Sequence, residues 1–155
     1  MIVSDSTTLI VLMETRRWDL LGNLFSRIWI PRAVYEEILF KEEKKLPSFL
    51  EMREVEDDAT LQTLRLLLDR GESEAIALAM QLGRPLIIDE KKGRNIARRH
   101  GVEIMGLLGI VYLNVKKGFL DASAAEDFLQ EAKARGFRIS ERLIAQMMQK
   151  VKENR

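Results

Sequence analysis

The chain contains no cysteine and a single histidine among its 155 residues. The absence of cysteine excludes disulfides, cysteine-ligated zinc, iron–sulfur clusters and a thiol nucleophile, and it agrees with a reducing compartment. Long apolar runs are missing too, since no stretch approaches the roughly 20 residues of a membrane span. The N-terminus carries no basic leader. We therefore expect a soluble, cytoplasmic protein that does not enter a membrane.

Charge of one sign is not in excess either, because 25 Lys and Arg face 24 Asp and Glu and the net charge is +1. Whole-molecule charge thus neither favours nor excludes a nucleic-acid partner, and only its distribution is informative. No repeat, low-complexity tract or Pro/Gly/Ser-rich linker divides the sequence, and a 46% share of hydrophobic residues is enough for one core. We expect a single domain over residues 1–155.

Short apolar runs alternate with amphipathic segments, which is the pattern of strands separated by helices. The charged stretch 41–47 is predicted to be a loop or a frayed helix end. The alternation predicts an α/β fold, a three-layer sandwich with a central parallel sheet and helices on both faces. A helical hairpin at about 121–152 closes it, with Ser123 and Ser140 as candidate N-caps. We predict strands at 2–4, 27–30, 52–55, 86–88 and 102–105, and helices at 7–15, 19–25, 32–40, 60–68, 72–82, 94–100, 107–117, 124–134 and 141–152.

Four acidic residues stand where an apolar segment ends or a helix begins, namely Asp5, Glu37, Glu72 and Asp89. Asp5 and Asp89 each follow a predicted strand, and ligands of open parallel sheets bind beyond the carboxyl ends of the strands. Carboxylates are the hard oxygen ligands that Mg²⁺ prefers, and such a site needs neither histidine nor cysteine. The pattern predicts a metal site, although Asp5 and Asp89 could each simply cap the helix that follows.

Neighbouring acids compete for two of these positions. Glu36 and Glu37 flank the apolar face of their helix equally, so periodicity does not choose between them. In the helix at 72–82, Glu72 falls on the apolar side and Glu74 lies well off it. An ionised carboxylate on a buried face is costly unless something compensates it, as a metal would. This favours Glu72 and leaves Glu74 as the alternative.

Four motifs resemble, in order and spacing, those of the PIN-domain nucleases: IVSDS at 2–6, IPRAVYEEI at 30–38, GESEAIALA at 71–79 and LIIDE at 86–90. GLLGIV at 106–111 and RGFRIS at 135–140 are similar to a prokaryotic, VapC-like branch of uncharacterised PIN proteins, so the resemblance covers nearly the whole chain. It implies a compact α/β sandwich whose clustered carboxylates bind Mg²⁺ or Mn²⁺ and cleave RNA, often as a toxin restrained by an antitoxin protein.

The resemblance also selects Glu37 over Glu36 and matches Glu72 to the third acidic position of the pattern. The chain departs from it at one point. Many toxin relatives have Thr-x-Asp after the corresponding strand, whereas this chain has Ile88, Asp89 and Glu90 in succession. Glu90 therefore stays an alternative to Asp89 as the fourth ligand.

The segment 91–100 holds five Lys or Arg, one His and no acid, directly after the last of these carboxylates. Backbone phosphates dominate the affinity of proteins for nucleic acid, so a basic surface beside an acidic pocket suits an RNA-cleaving site. An ordinary solvated helix face would have the same composition. The candidate RNA-binding residues are Lys91, Lys92, Arg94 and Arg98.

We therefore expect a metal-dependent ribonuclease in which the four carboxylates bind Mg²⁺ or Mn²⁺ and Ser6 or Thr7 orients Asp5 or a bound water. Two other functions stay open: a catalytically inactive module that binds nucleic acid or protein, and a metal-assisted phosphatase for small phosphoesters. The expected partners are RNA, an antitoxin protein and a second copy of the chain in a homodimer.

Overall fold

The computed structural model describes residues 1–41 and 46–153. In chain order the elements are β1 (Ile2–Ser4), α1 (Ser6–Glu14), α2 (Asp19–Gly22), β2 (Ile28–Ile30), α3 (Arg32–Lys41), β3 (Leu50–Met52), α4 (Ala59–Leu67), α5 (Arg70–Leu82), β4 (Leu86–Ile87), α6 (Lys91–Arg99), β5 (Ile104–Met105), α7 (Leu107–Lys116), α8 (Ala122–Ala134) and α9 (Glu141–Glu153). Of the predicted stretch 41–47, Lys41 ends α3, and residues 42–45 lie outside the described part.

The five strands form one sheet in the order β3-β2-β1-β4-β5, and every pairing is parallel. The chain builds outward from β1 to β2 and β3, and then returns to add β4 and β5 on the other side of β1. The direction of winding thus reverses between β1 and β4. In open parallel sheets such a reversal leaves a crevice at the carboxyl ends of the two strands, which is where ligands bind.

Two helical layers cover the sheet, because alternate side chains of each strand point to opposite faces. On one face, Ile2 and Ile28 pack with α1, α2, α3, α7, α8 and α9, whereas on the other Val3 and Trp29 pack with α4, α5 and α6. Helix α5 is buried from Glu72 to Ala79. The prediction of a single α/β domain with a parallel sheet and helices on both faces is confirmed.

Three helices begin two or three residues before their predicted starts, and at two of them an aspartate outcompetes the expected start signal. The third is α6, which begins at Lys91 and not at 94. Helix α5 begins at Arg70, since the Asp69 side chain accepts a hydrogen bond from the Glu72 N–H at 2.8 Å, and Gly71 lies inside its first turn. Helix α8 begins after Asp121, so Ser123 lies within the helix instead of capping it. An aspartate is at least as good an N-cap as a serine.

Most other boundaries lie within two residues of the prediction, although α2 ends at Gly22 and not at 25. Ser140 caps α9 as expected, its Oγ accepting the Leu143 N–H at 3.1 Å. Strand β3 lies slightly earlier than predicted because Phe49 and Leu50 pack against the core, whereas Arg53 and Glu54 are exposed. Helices α8 and α9 contact each other and α7. Among residues 1–41 and 46–153, no helix is long and apolar enough to cross a membrane.

Candidate functional site

Two of the predicted carboxylates lie at the reversal of the sheet. Asp5 follows β1 directly, and Asp89 comes two residues after the end of β4. The Asp5 N–H donates a hydrogen bond to the Ile87 carbonyl at 2.9 Å, which ties the two strand ends together. Both side chains therefore leave the sheet at the same edge, between the two strands whose order reverses.

Asp5 occupies the N-cap position of α1, but its side chain forms no capping hydrogen bond with the described backbone. The simple capping role considered above is therefore not what the geometry supports. The side chain is buried, and this burial raises the pKa of Asp5 to about 7. A backbone hydrogen bond from Ser6 lowers that pKa, while the charges of Asp69, Glu37 and Asp89 raise it.

Gly71 marks the point around which three acidic side chains converge. A β-carbon built on Gly71 would lie 3.6 Å from Asp5 Oδ1, 3.7 Å from Asp69 Oδ1 and 3.7 Å from Glu37 Oε2. The three oxygens come from the end of β1, from the N-cap of α5 and from α3, and they lie within twice that distance of one another. The missing side chain of Gly71 leaves the space between them open.

Asp69 was not predicted as a site residue. Its position three residues before Glu72 has the spacing of a capping box, and that signal could have shown that α5 starts at this acidic residue. The spacing alone would not have shown that the same carboxylate approaches Asp5 and Glu37, because those residues belong to distant segments of the chain.

Glu72 is the most constrained of the acidic residues. It is 6% exposed, and its Oε2 atom is buried with no hydrogen-bond partner among the described residues. A β-carbon on Gly93 of α6 would lie 2.6 Å from that oxygen, so only glycine leaves room for it. Burial is the largest effect that raises the pKa of Glu72 to about 8, followed by the hydrogen bond and charge of Asp69 and by the charges of Asp5 and Glu90.

The argument that separated Glu72 from Glu74 by helix face was wrong, because α5 is buried on all sides and Glu74 is only 4% exposed. The two side chains differ in their partners instead. Glu74 Oε1 accepts the Ala33 N–H at 3.1 Å, and its Oε2 accepts Arg70 Nε at 3.0 Å. Glu74 therefore links α5 to the start of α3, whereas Glu72 keeps an oxygen without a partner.

Glu36 and Glu37, which periodicity left undecided, also separate by their partners. Glu36 Oε2 accepts a hydrogen bond from the Arg70 guanidinium at 3.0 Å. Glu37 is exposed, and its carboxylate is the one that approaches Gly71 and Asp5. The geometry therefore agrees with Glu37 as the member of the pair that faces the site.

Asp89 is held by groups from two helices, neither of them α6. Thr8 of α1 donates a hydrogen bond to its Oδ2, and the Leu107 N–H at the start of α7 donates to its Oδ1 at 2.9 Å. Burial raises the pKa of Asp89, whereas these two hydrogen bonds and the charge of Arg94 lower it. The α6 N-cap is Glu90, which is exposed and forms no capping hydrogen bond there.

Thr8, which was not predicted, is thus the hydroxyl that contacts a candidate ligand. Of the two predicted hydroxyl residues, Ser6 is buried and its backbone N–H bonds to Asp5, while Thr7 is exposed on the cleft described below. No sequence signal distinguishes Thr8 from Thr7, because the choice depends on the angle at which α1 leaves β1.

These acidic residues interact as one electrostatic group centred on Asp5. The charges of Glu37, Asp69 and Asp89 raise the pKa of Asp5, and the charge of Asp5 raises the pKa of Glu72. Within residues 1–41 and 46–153, no three of the acidic or histidine side chains form a preassembled set around a single ion position. The unpartnered Glu72 oxygen and the raised pKa of Asp5 nevertheless fit a hard divalent cation, which would relieve the repulsion among these carboxylates.

A basic cleft of about 1130 Å³ opens beside Asp89. The four candidate RNA-binding residues, Lys91, Lys92, Arg94 and Arg98, all line it. Gly136, Phe137 and Arg138, in the connection between α8 and α9, line the same cleft. The Nε atom of Arg94 is buried with no hydrogen-bond partner in the described structure. The arrangement places a cation-rich groove beside a group of electrostatically coupled acidic residues, called the acidic cluster below: Asp5, Glu37, Asp69, Glu72 and Asp89.

The DUF3368 family model, which is described as a PIN domain, matches residues 1–153. The match spans every element of the fold and all of the acidic residues discussed above. No curated protein matches the chain.

Proposed function

The chain belongs to the PIN-domain family, and from that premise we propose that it is a ribonuclease dependent on Mg²⁺ or Mn²⁺. PIN domains are generally nucleases, so the coarse assignment is a nuclease-type hydrolase. The finer proposal, cleavage of RNA at the acidic cluster, is supported chiefly by one observation. Glu72 buries a carboxylate oxygen that has no hydrogen-bond partner among the described residues, within the group of carboxylates at the reversal of the sheet.

An uncompensated buried carboxylate is costly, and proteins normally pair such a group or use it to bind a metal. Arg70, the cation nearest in sequence, is already bonded to Glu36 and Glu74. Glu72 thus lacks the kind of partner that its neighbour Glu74 has. A bound cation supplies what this position lacks, and this explains why an acidic residue occupies the buried first turn of α5.

The residues that would hold the ion are Asp5, Glu37, Glu72 and Asp89, with Asp69 as an additional ligand. When bound there, a divalent cation neutralises phosphate oxygens and lowers the pKa of a coordinated water, which is the chemistry that phosphodiester hydrolysis needs. Thr8 holds Asp89 in place through a hydrogen bond. The basic cleft beside Asp89 binds the RNA backbone and aligns it with the acidic cluster.

The test is cleavage of a fluorescent single-stranded RNA by the purified chain with Mn²⁺ or Mg²⁺ and with EDTA. Asp5→Asn and Asp89→Asn should each abolish metal-dependent cleavage, because the amide preserves size but loses the charge that holds the ion. Asp127→Asn is the matched control, since Asp127 is an exposed residue of α8. Equal cleavage by Asp5→Asn and the wild type would show that the activity belongs to a contaminant.

Assays on the same purified protein distinguish two other functions from the ribonuclease. A catalytically inactive binding module would retain RNA without metal-dependent cleavage. A phosphatase would release phosphate from small phosphoesters and leave internal RNA linkages intact. The basic cleft favours the ribonuclease, because a small phosphoester would not use a groove lined by cations from two separate segments of the chain.

The VapC-like resemblance of the chain leads us to propose a toxin that acts in the cytoplasm and is restrained by an antitoxin protein. Induced expression should then stop growth for the wild type but not for Asp5→Asn. Light scattering on the purified chain would test the proposed homodimer. Unimpaired growth of cells that contain active wild-type nuclease would contradict the toxin role while leaving the ribonuclease proposal intact.

A further inference from the structure

The connection between α8 and α9 carries the RGFRIS motif at 135–140, which the nuclease proposal does not use. The structure places three of its residues, Gly136, Phe137 and Arg138, on the cleft. This segment is distant in sequence from α6, which provides the other basic residues. The cleft is thus lined by two separate segments of the chain, and the proposal above gives no individual role to the residues of the second segment.

The geometry of this connection is well determined by local hydrogen bonds. The Gly136 N–H donates to the Lys133 carbonyl at 3.0 Å, and the Phe137 N–H donates to the Ala132 carbonyl at 3.0 Å. Gly136 has φ +99, the left-handed conformation that favours glycine. Together these features form a Schellman motif, in which the residue after the glycine makes an apolar contact with the helix. Phe137 packs against the core on the sheet face of Ile2 and Ile28, and this contact fixes the position of the neighbouring Arg138.

The cleft carries more positive than negative charge. Five of its residues are Lys or Arg and two, Asp89 and Glu90, are acidic. None of the five basic side chains forms a salt bridge with another described residue, and Arg94 buries an Nε–H that no described group accepts. Six of the eleven described arginines outside the cleft form salt bridges: Arg17, Arg27, Arg32, Arg65, Arg70 and Arg135. Unpaired cations that line one groove indicate an anionic ligand with several charges.

We infer that Arg138 binds a backbone phosphate of single-stranded RNA from a part of the cleft that α6 does not form, and that the Gly136–Arg138 segment positions the strand beside the acidic cluster. The inference rests on the ribonuclease proposal and extends it to the form of the substrate. The volume of about 1130 Å³ is slightly above the roughly 300–1,000 Å³ of small-ligand pockets. A cleft of this volume suits a short stretch of one strand better than a duplex.

The experiment measures binding of a fluorescently labelled single-stranded RNA to the full chain by anisotropy, in EDTA so that no cleavage occurs. Arg138→Gln should raise Kd at every salt concentration. Because each phosphate contact on a single strand contributes about 0.7 to the slope of log K against log salt, the slope should become shallower by about 0.7. Arg138→Lys keeps the charge and should keep the slope. Arg142→Gln is the matched control, since Arg142 is an exposed arginine of α9 that does not line the cleft.

Labelled duplex RNA of the same sequence and an acidic peptide are measured alongside. Tighter binding of the single strand, together with a loss of slope in Arg138→Gln alone, would support the inference. Three results would overturn it: no difference between Arg138→Gln and Arg142→Gln, a duplex bound as tightly as the single strand, or an effect of Arg138→Gln on the peptide only.

The outcome is independent of catalysis. If the chain never cleaves RNA but Arg138→Gln weakens strand binding, the ribonuclease proposal fails and the cleft assignment stands. If the chain cleaves RNA with Mn²⁺ while Arg138→Gln binds and cleaves like the wild type, only the role of Arg138 is refuted.

Discussion

Replacing Glu72 by Gln should stabilise the metal-free protein at neutral pH. Burial next to Asp69 and Asp5 raises the pKa of Glu72 from its usual 4.5 to about 8. Between these two pH values the unfolded chain has released the proton of Glu72 and the folded chain still holds it. The folded state therefore binds more protons, so the free energy of unfolding falls as the pH rises through this window and levels off above pH 8.

The size of the stability change follows from the pKa shift of Glu72. One pKa unit corresponds to about 1.4 kcal/mol, so the interval from 4.5 to pH 7 amounts to about 3 kcal/mol of lost stability. That is a large part of the roughly 5–15 kcal/mol that stabilises a typical domain. Glutamine has the shape of the protonated carboxyl but does not titrate. Glu72→Gln should remove the pH dependence that Glu72 causes and leave the contribution of Asp5, whose pKa is raised to about 7.

The assay is urea unfolding in EDTA at half-unit steps from pH 5 to pH 8, for the wild type, Glu72→Gln and Glu126→Gln. Glu126 is an exposed residue of α8 and serves as the control. The free energy of unfolding should decline with pH in the wild type and the control, and decline less in Glu72→Gln. Millimolar Mn²⁺ at pH 7.5 should reverse the order by stabilising the wild type more than Glu72→Gln. A Glu72→Gln protein that is less stable than the wild type at pH 8 in EDTA would refute the reasoning.

Three further substitutions test individual contacts. Gly93→Ala places a methyl group 2.6 Å from Glu72 Oε2, so it should lower the free energy of unfolding by about 1–3 kcal/mol. It should also weaken Mn²⁺ binding, which calorimetry would detect. An unchanged Kd for Mn²⁺ would contradict the position of Glu72. Thr8→Val removes a hydrogen bond that lowers the pKa of Asp89, so the acid limb of the pH profile of RNA cleavage should move to higher pH. An unchanged acid limb would exclude Asp89 as the titrating group. Glu74→Ala leaves a buried N–H at the start of α3 without its acceptor, so urea unfolding should show a loss of about 1–3 kcal/mol, and a loss no larger than that of a surface control would argue against this contact.

Much of the fold follows from short-range signals in the sequence. Ile2–Ser4 and Ile28–Ile30 are apolar runs followed by helix-start signals, so their strands were placed within one residue. Pro31 opens α3 as its fixed φ allows. Errors occurred where several start signals compete over a few residues, as at Asp121 and Ser123, because the energies of alternative caps differ by only tenths of a kcal/mol.

At the candidate site, short-range signals in the sequence identified some residues but did not distinguish others. Asp5 and Asp89 were placed correctly beyond strand ends, because the carboxyl edge of a parallel sheet is implied by alternating strands and helices. The helix-face argument that separated Glu72 from Glu74 failed, because periodicity assumes one solvated face and both side chains are buried. What distinguishes the two glutamates is the N–H of Ala33 in a different helix, and no pattern within α5 contains that information.

The sequence by itself determined the α/β class, the order of the elements, the acidic residues available to a metal and the basic character of segment 91–100, because these depend on residue type and local spacing. Only the tertiary structure decided that Asp69 joins Asp5 and Glu37 around Gly71, that Thr8 binds Asp89, and that the Gly136–Arg138 segment lines the same cleft as α6. Each of these contacts joins segments far apart in the chain. Their formation depends on how helices pack on a twisted sheet, and local sequence preferences do not encode that geometry.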